Sequence, residues 1–273
     1  MNKRQAGIAA TALALALTAT ACGGGSGDSD ELTIGIKFDQ PGLGLKTPDG
    51  KYKGFDVDVA KYVAKELGYK NKDITFKEAP SADRENLLVN GDVDFIAATY
   101  SITPERKEKV DFAGPYLMAH QDLLVRKGDN SIDSEKDLNK SSLKLCSVTG
   151  STSAQNVKKK FASKADLQEY GGYSECLTGL QNKAVDALTT DDSILAGFAS
   201  QEEHQGKFKL TGLNLSDEPY GIGIKKGDTE LQGKINKALK KMVKDGSWEK
   251  FAEKHFGPSG YEYGEAPKIT ETS

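Results

Sequence analysis

"LLVNGDVDFIAATYS" (Leu87–Ser101) and "LTGLQNKAVDALTTDDS" (Leu177–Ser193) share one plan: a leucine-rich helix end, a short break, Val-Asp, then an apolar strand closing on threonine and polar residues. Such an echo predicts two similar α/β units, and the flanking segments agree. "LTIGIKF" (Leu32–Phe38) reads as a strand. "YKGFDVDVAKYVAKELG" (Tyr52–Gly68) places Phe55, Val59, Val63 and Leu67 at helical spacing, with Gly68 as a stop. "DITFKEA" is a strand, "SADRENLLVNG" a helix from Ser81 to Gly91, and "VDFIAATYS" an apolar strand. Strand, helix, strand, helix, strand is the order of a parallel α/β sheet. The order then restarts. "MAHQDLLVRKG" is extended, "IDSEKDLNKSS" a helix or turn, "LKLCSVTG" a strand and "STSAQNVKKKFASK" a helix. "DLQEYG", "YSECLTGLQNKA" and "VDALTTD" continue as strand, helix, strand. One long amphipathic helix is expected over residues 229–257, packing back on the first unit.

The N-terminus fixes the expected compartment. Lys3 and Arg4 precede the apolar run "AGIAATALALALTATA", which stops at Cys22. That pattern is a secretory signal of residues 1–21 rather than a spanning helix. Its "ATAC" ending resembles a bacterial lipobox, with Ala19 in place of the usual leucine. The likeness implies cleavage before Cys22 and lipid on its thiol; the alternative is an ordinary signal cut near Ala21. Residues 22–31 form a Gly/Ser/Asp tether. Loss of Lys3 and Arg4 leaves net charge −5, against −3 for the whole chain. That balance gives no support for nucleic-acid binding. Cys146 and Cys176 remain as an even pair in an oxidising compartment, so a disulfide between them is expected; the alternative is two separate buried thiols. His120, His204 and His255 are too scattered for a zinc site, and no metal or cofactor is expected.

In "SITPERKEKVDFAGPY" (Ser101–Tyr116), Thr103 is an N-cap and Pro104 the first helical residue. Arg106 then stands third, where the helix dipole disfavours a cation by roughly 0.3–1 kcal/mol. An anion beside it would explain the choice. With Ser81 read as an N-cap, Arg84 occupies the same third position. Lys37 ends the first strand, and "TGSTSAQNV" opens a helix whose Gly150, Ser151 and Thr152 offer N–H and hydroxyl groups to an anion. Together these cations predict a ligand with more than one carboxylate. Asp191, ending a strand of the second unit, is placed to meet an ammonium; Asp192 competes for that role or caps the helix "SILAGFA". No GxSxG elbow, Walker loop or GxGxxG fingerprint is present. Asp56 and Asp58 read as a solvated pair, and Trp248 and Phe251 as core.

"GFDVDVAKYVAKELG", "LLVNGDVDFIAATYSITPERKEKVDFAGPY", "VTGSTS" and "VDALTTDD" resemble the family of extracytoplasmic solute-binding proteins of polar-amino-acid ABC importers, family 3. "KFDQPG" and "APSADRENLL" look most like its glutamate-binding lipoproteins. The resemblance implies a type II two-lobe fold, lobe 1 from residues 32–124 and 219–262 and lobe 2 from 125–218, followed by a tail at 263–273. The lobes would join through hinge strands near Leu124–Lys127 and Leu215–Gly221. It implies a monomer that binds L-glutamate, or aspartate, and serves a permease and its ATPase. By the same resemblance Arg106 takes the α-carboxylate, with Thr99, Ser101, Thr152 and Thr149 assisting, and Asp191 takes the α-ammonium. Lys37 and Arg84 correspond to the distal-carboxylate positions. Gln40 stands where relatives place an aromatic, and Tyr173 where some acidic-amino-acid binders place a histidine. The alternatives are a binder of a neutral amino acid such as glutamine, a dehydratase-like enzyme on the same scaffold, or a partner of a sensor.

Overall fold

The computed structural model describes residues 31–272. The expected signal, the lipid site at Cys22 and all but the last residue of the tether lie outside them. Twelve strands and eight α-helices follow in the order β1 (Leu32–Ile36), β2 (Asp39–Gln40), β3 (Gly44–Lys46), β4 (Tyr52–Lys53), α1 (Phe55–Glu66), β5 (Ile74–Glu78), α2 (Arg84–Val89), β6 (Phe95–Ala97), α3 (Pro104–Lys107) and β7 (Val110–Arg126). The second half adds β8 (Lys144–Val148), α4 (Thr152–Asn156), β9 (Asp166–Tyr170), α5 (Tyr173–Gln181), β10 (Ala187–Asp191), α6 (Asp192–Ala199), β11 (Phe208–Leu210), β12 (Ser216–Lys225), α7 (Thr229–Lys244) and α8 (Ser247–Phe256). Among the described residues no helix is long and apolar enough to cross a membrane.

Two βαβ units are present as the echo predicted, but they are not separate sheets. One sheet runs β5-β1-β6-β12-β7-β10-β8-β9, with β11 on β7. β1 pairs in parallel with β5 and β6, and β8 in parallel with β9 and β10. The two long central strands, antiparallel to each other, belong to both halves. Residues Val110–Ala113 of β7 lie opposite Ile222–Lys225, and Leu117–Gln121 opposite Ser216–Tyr220. From Gln121 to Val125 the strand pairs instead with β10. The run opposite β12 therefore ends, and the run opposite β10 begins, at Gln121.

Helix α1 buries Phe55, Val59 and Val63, as their spacing predicted. The C-terminal helix is two helices, broken at Gly246, whose φ of 77° is a conformation that glycine adopts without the Cβ penalty. Both pack against α1; in α8, Phe256 meets Phe55 at 4.9 Å, Trp248 meets it edge-on at 6.1 Å, and Trp248 Nε1 donates to the Tyr116 carbonyl at 2.7 Å. Full burial of each such ring stabilises the fold by about 1.5–3 kcal/mol. The expected helix over residues 151–164 keeps α-geometry only to Asn156, then widens to a π turn at Val157–Phe161.

Cys146 of β8 and Cys176 of α5 are disulfide-bonded, 30 residues apart in sequence. A loop of that length predicts that Cys146→Ser/Cys176→Ser loses about 2–4 kcal/mol in denaturant unfolding. An unchanged midpoint would show that the bridge does not constrain the unfolded chain.

Candidate functional site

Four charged side chains gather where the strands of both halves end. Lys37 follows β1, Arg84 opens α2, Arg106 sits in α3 and Asp191 ends β10; they are 3%, 2%, 6% and 4% exposed. Charges this deep require partners, since an uncompensated buried ion costs several kcal/mol.

Arg106 stands third in its helix as expected, with Thr103 Oγ1 accepting from its N–H at 3.3 Å. Its guanidinium donates to the Ser101 carbonyl at 2.7 Å and, across to the other lobe, to the Gly150 carbonyl at 3.2 Å. Glu85 lies 3.5 Å from its Nε, and the Tyr100 ring 5.0 Å from its carbon centre. Burial, then the neighbouring Arg84, lowers its pKa to about 10. Arg84 also stacks on Tyr100, at 4.1 Å, and donates to the carbonyls of Ala98 and Thr99. Its place corrects the expectation. The N-cap position is Asp83, so Arg84 is the first helical residue and not the third. Ser81 sits in the preceding turn and accepts from Lys37 Nζ at 2.7 Å. Burial, and next the charge of Arg84, holds the Lys37 ammonium well below its ordinary range; Arg106 acts in the same direction, while Asp39 and Asp191 oppose it.

Thr99, two residues past β6, has φ 46°, a left-handed conformation that is costly for a β-branched residue. Asp56 holds it there: its Oδ2 accepts from the Thr99 N–H at 2.8 Å, and its Oδ1 from the Tyr116 hydroxyl at 2.8 Å. Asp56 is thus fully buried rather than solvated, and burial raises its carboxyl to about 6. Asp58 is likewise engaged, by Lys254 and His255. Gln40 Oε1 meets Thr99 Oγ1 at 3.2 Å. One end of the Gln40 amide and Arg84 Nε have no hydrogen-bond partner among the described residues.

From the second lobe, Asp191 accepts from Tyr220 Oη at 2.6 Å and Ser153 Oγ at 3.4 Å. Burial, then Glu218, pushes its carboxyl well above the ordinary range. Asp192 points elsewhere, to His120 and Tyr261. Tyr173 opens α5 and is buried; burial, then Asp191, raises its phenol. Thr152 Oγ1 is bonded to Glu218 at 2.8 Å. Thr149 is not brought in: it is exposed, and its N–H is bonded to the Tyr170 carbonyl. Asp56, Tyr100 and Glu218 are site residues that the linear reading missed. Glu218 had a signal, because strand alternation puts it on one face with Tyr220 while Asp217 faces out.

The lobes are shut on this set, with a Cβ at Gly150 falling 2.7 Å from Ala82 Cα. Two surface grooves, about 420 Å³ under the C-terminal segment and about 960 Å³ along α7, are lined by none of the four charged residues. What collects here is three cations and the Asp191 carboxylate, with Glu85 and Glu218 beside them.

Residues 32–258 match the model of bacterial extracellular solute-binding proteins, family 3. The chain belongs to this family. It is 49% identical to the glutamate-binding protein GluB of Corynebacterium efficiens over 235 residues, covering 83% of this chain and 79% of that one. It is 44% identical to the ABC transporter glutamine-binding protein GlnH of Bacillus subtilis, over 82% and 81% of the two chains. An ancestral arginine-binding protein bound to arginine superposes with a TM-score of 0.77 at 39% identity, covering 84% of this chain and 99% of the other.

Proposed function

We propose that this family 3 protein is the substrate-binding lipoprotein of an ABC importer and that it closes on L-glutamate, with aspartate as the other acidic candidate. One observation carries the choice of ligand: Lys37 and Arg84 are buried side by side and present donors, with Arg84 Nε lacking an acceptor among the described residues. A distal carboxylate supplies acceptors and opposite charge. An amide would bring one acceptor, turn N–H groups toward other donors and leave the cations uncompensated. Resemblance to a glutamate-binding and a glutamine-binding protein at 49% and 44% identity does not choose between them; the cation pair is what favours the acidic ligand in this reading.

In this reading Arg106 takes the α-carboxylate, helped by Thr99, Ser101 and Thr152. Asp191 takes the α-ammonium, and Tyr173 lines the second-lobe wall. Contacts made only in the shut form shift the lobes toward closure. No bond is made or broken: His120, His204 and His255 have partners outside the set, namely Asp192, Phe208 and Asp58. Residues 1–21 act as the signal, and lipid on Cys22 holds a monomer outside the cell membrane beside its permease and ATPase.

A thermal-shift screen of the twenty amino acids tests the ligand. Glutamate at about a hundred times its Kd is expected to add roughly 2.7 kcal/mol of stability. A response to glutamine or arginine with none to either acidic amino acid would overturn the assignment.

A further inference from the structure

Helix α5 begins without a cap of its own. Gly172 holds the N-cap position and supplies no side chain, so the first-turn N–H groups need acceptors from elsewhere. One arrives from the other lobe. Asp39 Oδ2, on β2, lies 3.3 Å from the Ser174 N–H and 3.4 Å from Ser174 Oγ. The missing side chain is part of the fit, since a Cβ on Gly172 would stand 2.6 Å from that oxygen. Two residues on, the Pro41 carbonyl abuts Gly197 of α6, where a Cβ would also collide. Lys37 and Gln40 of the same segment are buried in the cleft set. Residues 37–41 thus supply two groups to the site and two contacts to the opposite lobe.

We propose that Asp39 is a closure latch, whose carboxylate caps α5 only when the lobes are shut and so locks the segment bearing Lys37 and Gln40 around a bound ligand. This rests on the reading that an amino acid binds between the lobes. A carboxylate at a helix N-terminus satisfies an orphan donor and meets the positive end of the dipole. Because the cap forms on closing, it slows ligand release and leaves entry unchanged. Asp39 is a positioning residue, acting through the segment that carries Lys37 and Gln40.

Stopped-flow kinetics on the full chain, with each of the twenty amino acids, tests this. Asp39→Ala is expected to raise the dissociation rate roughly fivefold, with the association rate within about twofold. The Tm without ligand should not move. Gly172→Ala is expected to reproduce the effect by displacing the carboxylate, and Asp39→Ala/Gly172→Ala to be no worse than either alone. Unchanged dissociation in both single variants, or effects that multiply in the double, would overturn the latch while leaving the ligand assignment intact. Failure of the wild-type protein to bind any amino acid would overturn both.

Discussion

Arg106→Ala is expected to abolish binding of all amino acids, acidic or not. The α-carboxylate is common to them, and under the proposed function Arg106 presents the guanidinium fork that pairs with it. The group is already positioned before it meets a ligand: Ser101 holds one nitrogen at 2.7 Å, Glu85 lies 3.5 Å from another, and Tyr100 lies under the plane. Removing one partner of a buried ion pair costs about 3–5 kcal/mol, a loss of roughly 10²–10⁴ in affinity. The variant also loses the bond to the Gly150 carbonyl, one of the contacts that cross between the lobes. Arg106→Lys restores charge without the fork and should recover only part of the affinity. Calorimetry with glutamate, aspartate, glutamine and arginine is the check. Normal affinity for any of them in Arg106→Ala would remove this residue from the carboxylate site.

Arg106 was legible because its cause is local. Thr103, Pro104 and a cation at the third position form a pattern within four residues, and the helix is built as that pattern says. Arg84 was found for a reason that fails: Ser81 is drawn 44 positions away, to Lys37, and the helix starts after it. The position still pointed to the site because strand-to-helix junctions lie at the sheet's carboxyl edge whichever residue caps them. Asp56 was invisible. Its partners Thr99 and Tyr116 stand 43 and 60 positions on, and an acid in the first turn of an amphipathic helix reads as a favourable, solvated charge. The fold followed the same division. Repeated strand–helix periods marked the two units, whereas their sharing of β7 and β12 depends on antiparallel pairing between segments about a hundred residues apart.

Arg84→Ala separates acidic from neutral ligands, where Arg106→Ala does not. Burial, then the charge of Arg84 beside it, disfavours the Lys37 ammonium, and a second carboxylate would offset both causes. Without Arg84, that carboxylate faces only Lys37, whose pKa burial still lowers. The expected loss for glutamate is about 3 kcal/mol, somewhat over 100-fold. Arg84 also braces the carbonyls of Ala98 and Thr99, next to the strained turn at Thr99. Truncation therefore weakens every ligand a little by loosening that strand end. The ratio of glutamate to glutamine affinity, not either value alone, is the quantity that isolates charge. It should fall by about two orders of magnitude in Arg84→Ala. Arg84→Lys keeps the positive charge but reaches neither carbonyl with a fork, so it should hold most of the ratio while losing some absolute affinity. If Arg84→Ala leaves the ratio where it was, the cations beside β1 and α2 serve the fold and the choice of an acidic ligand loses its support.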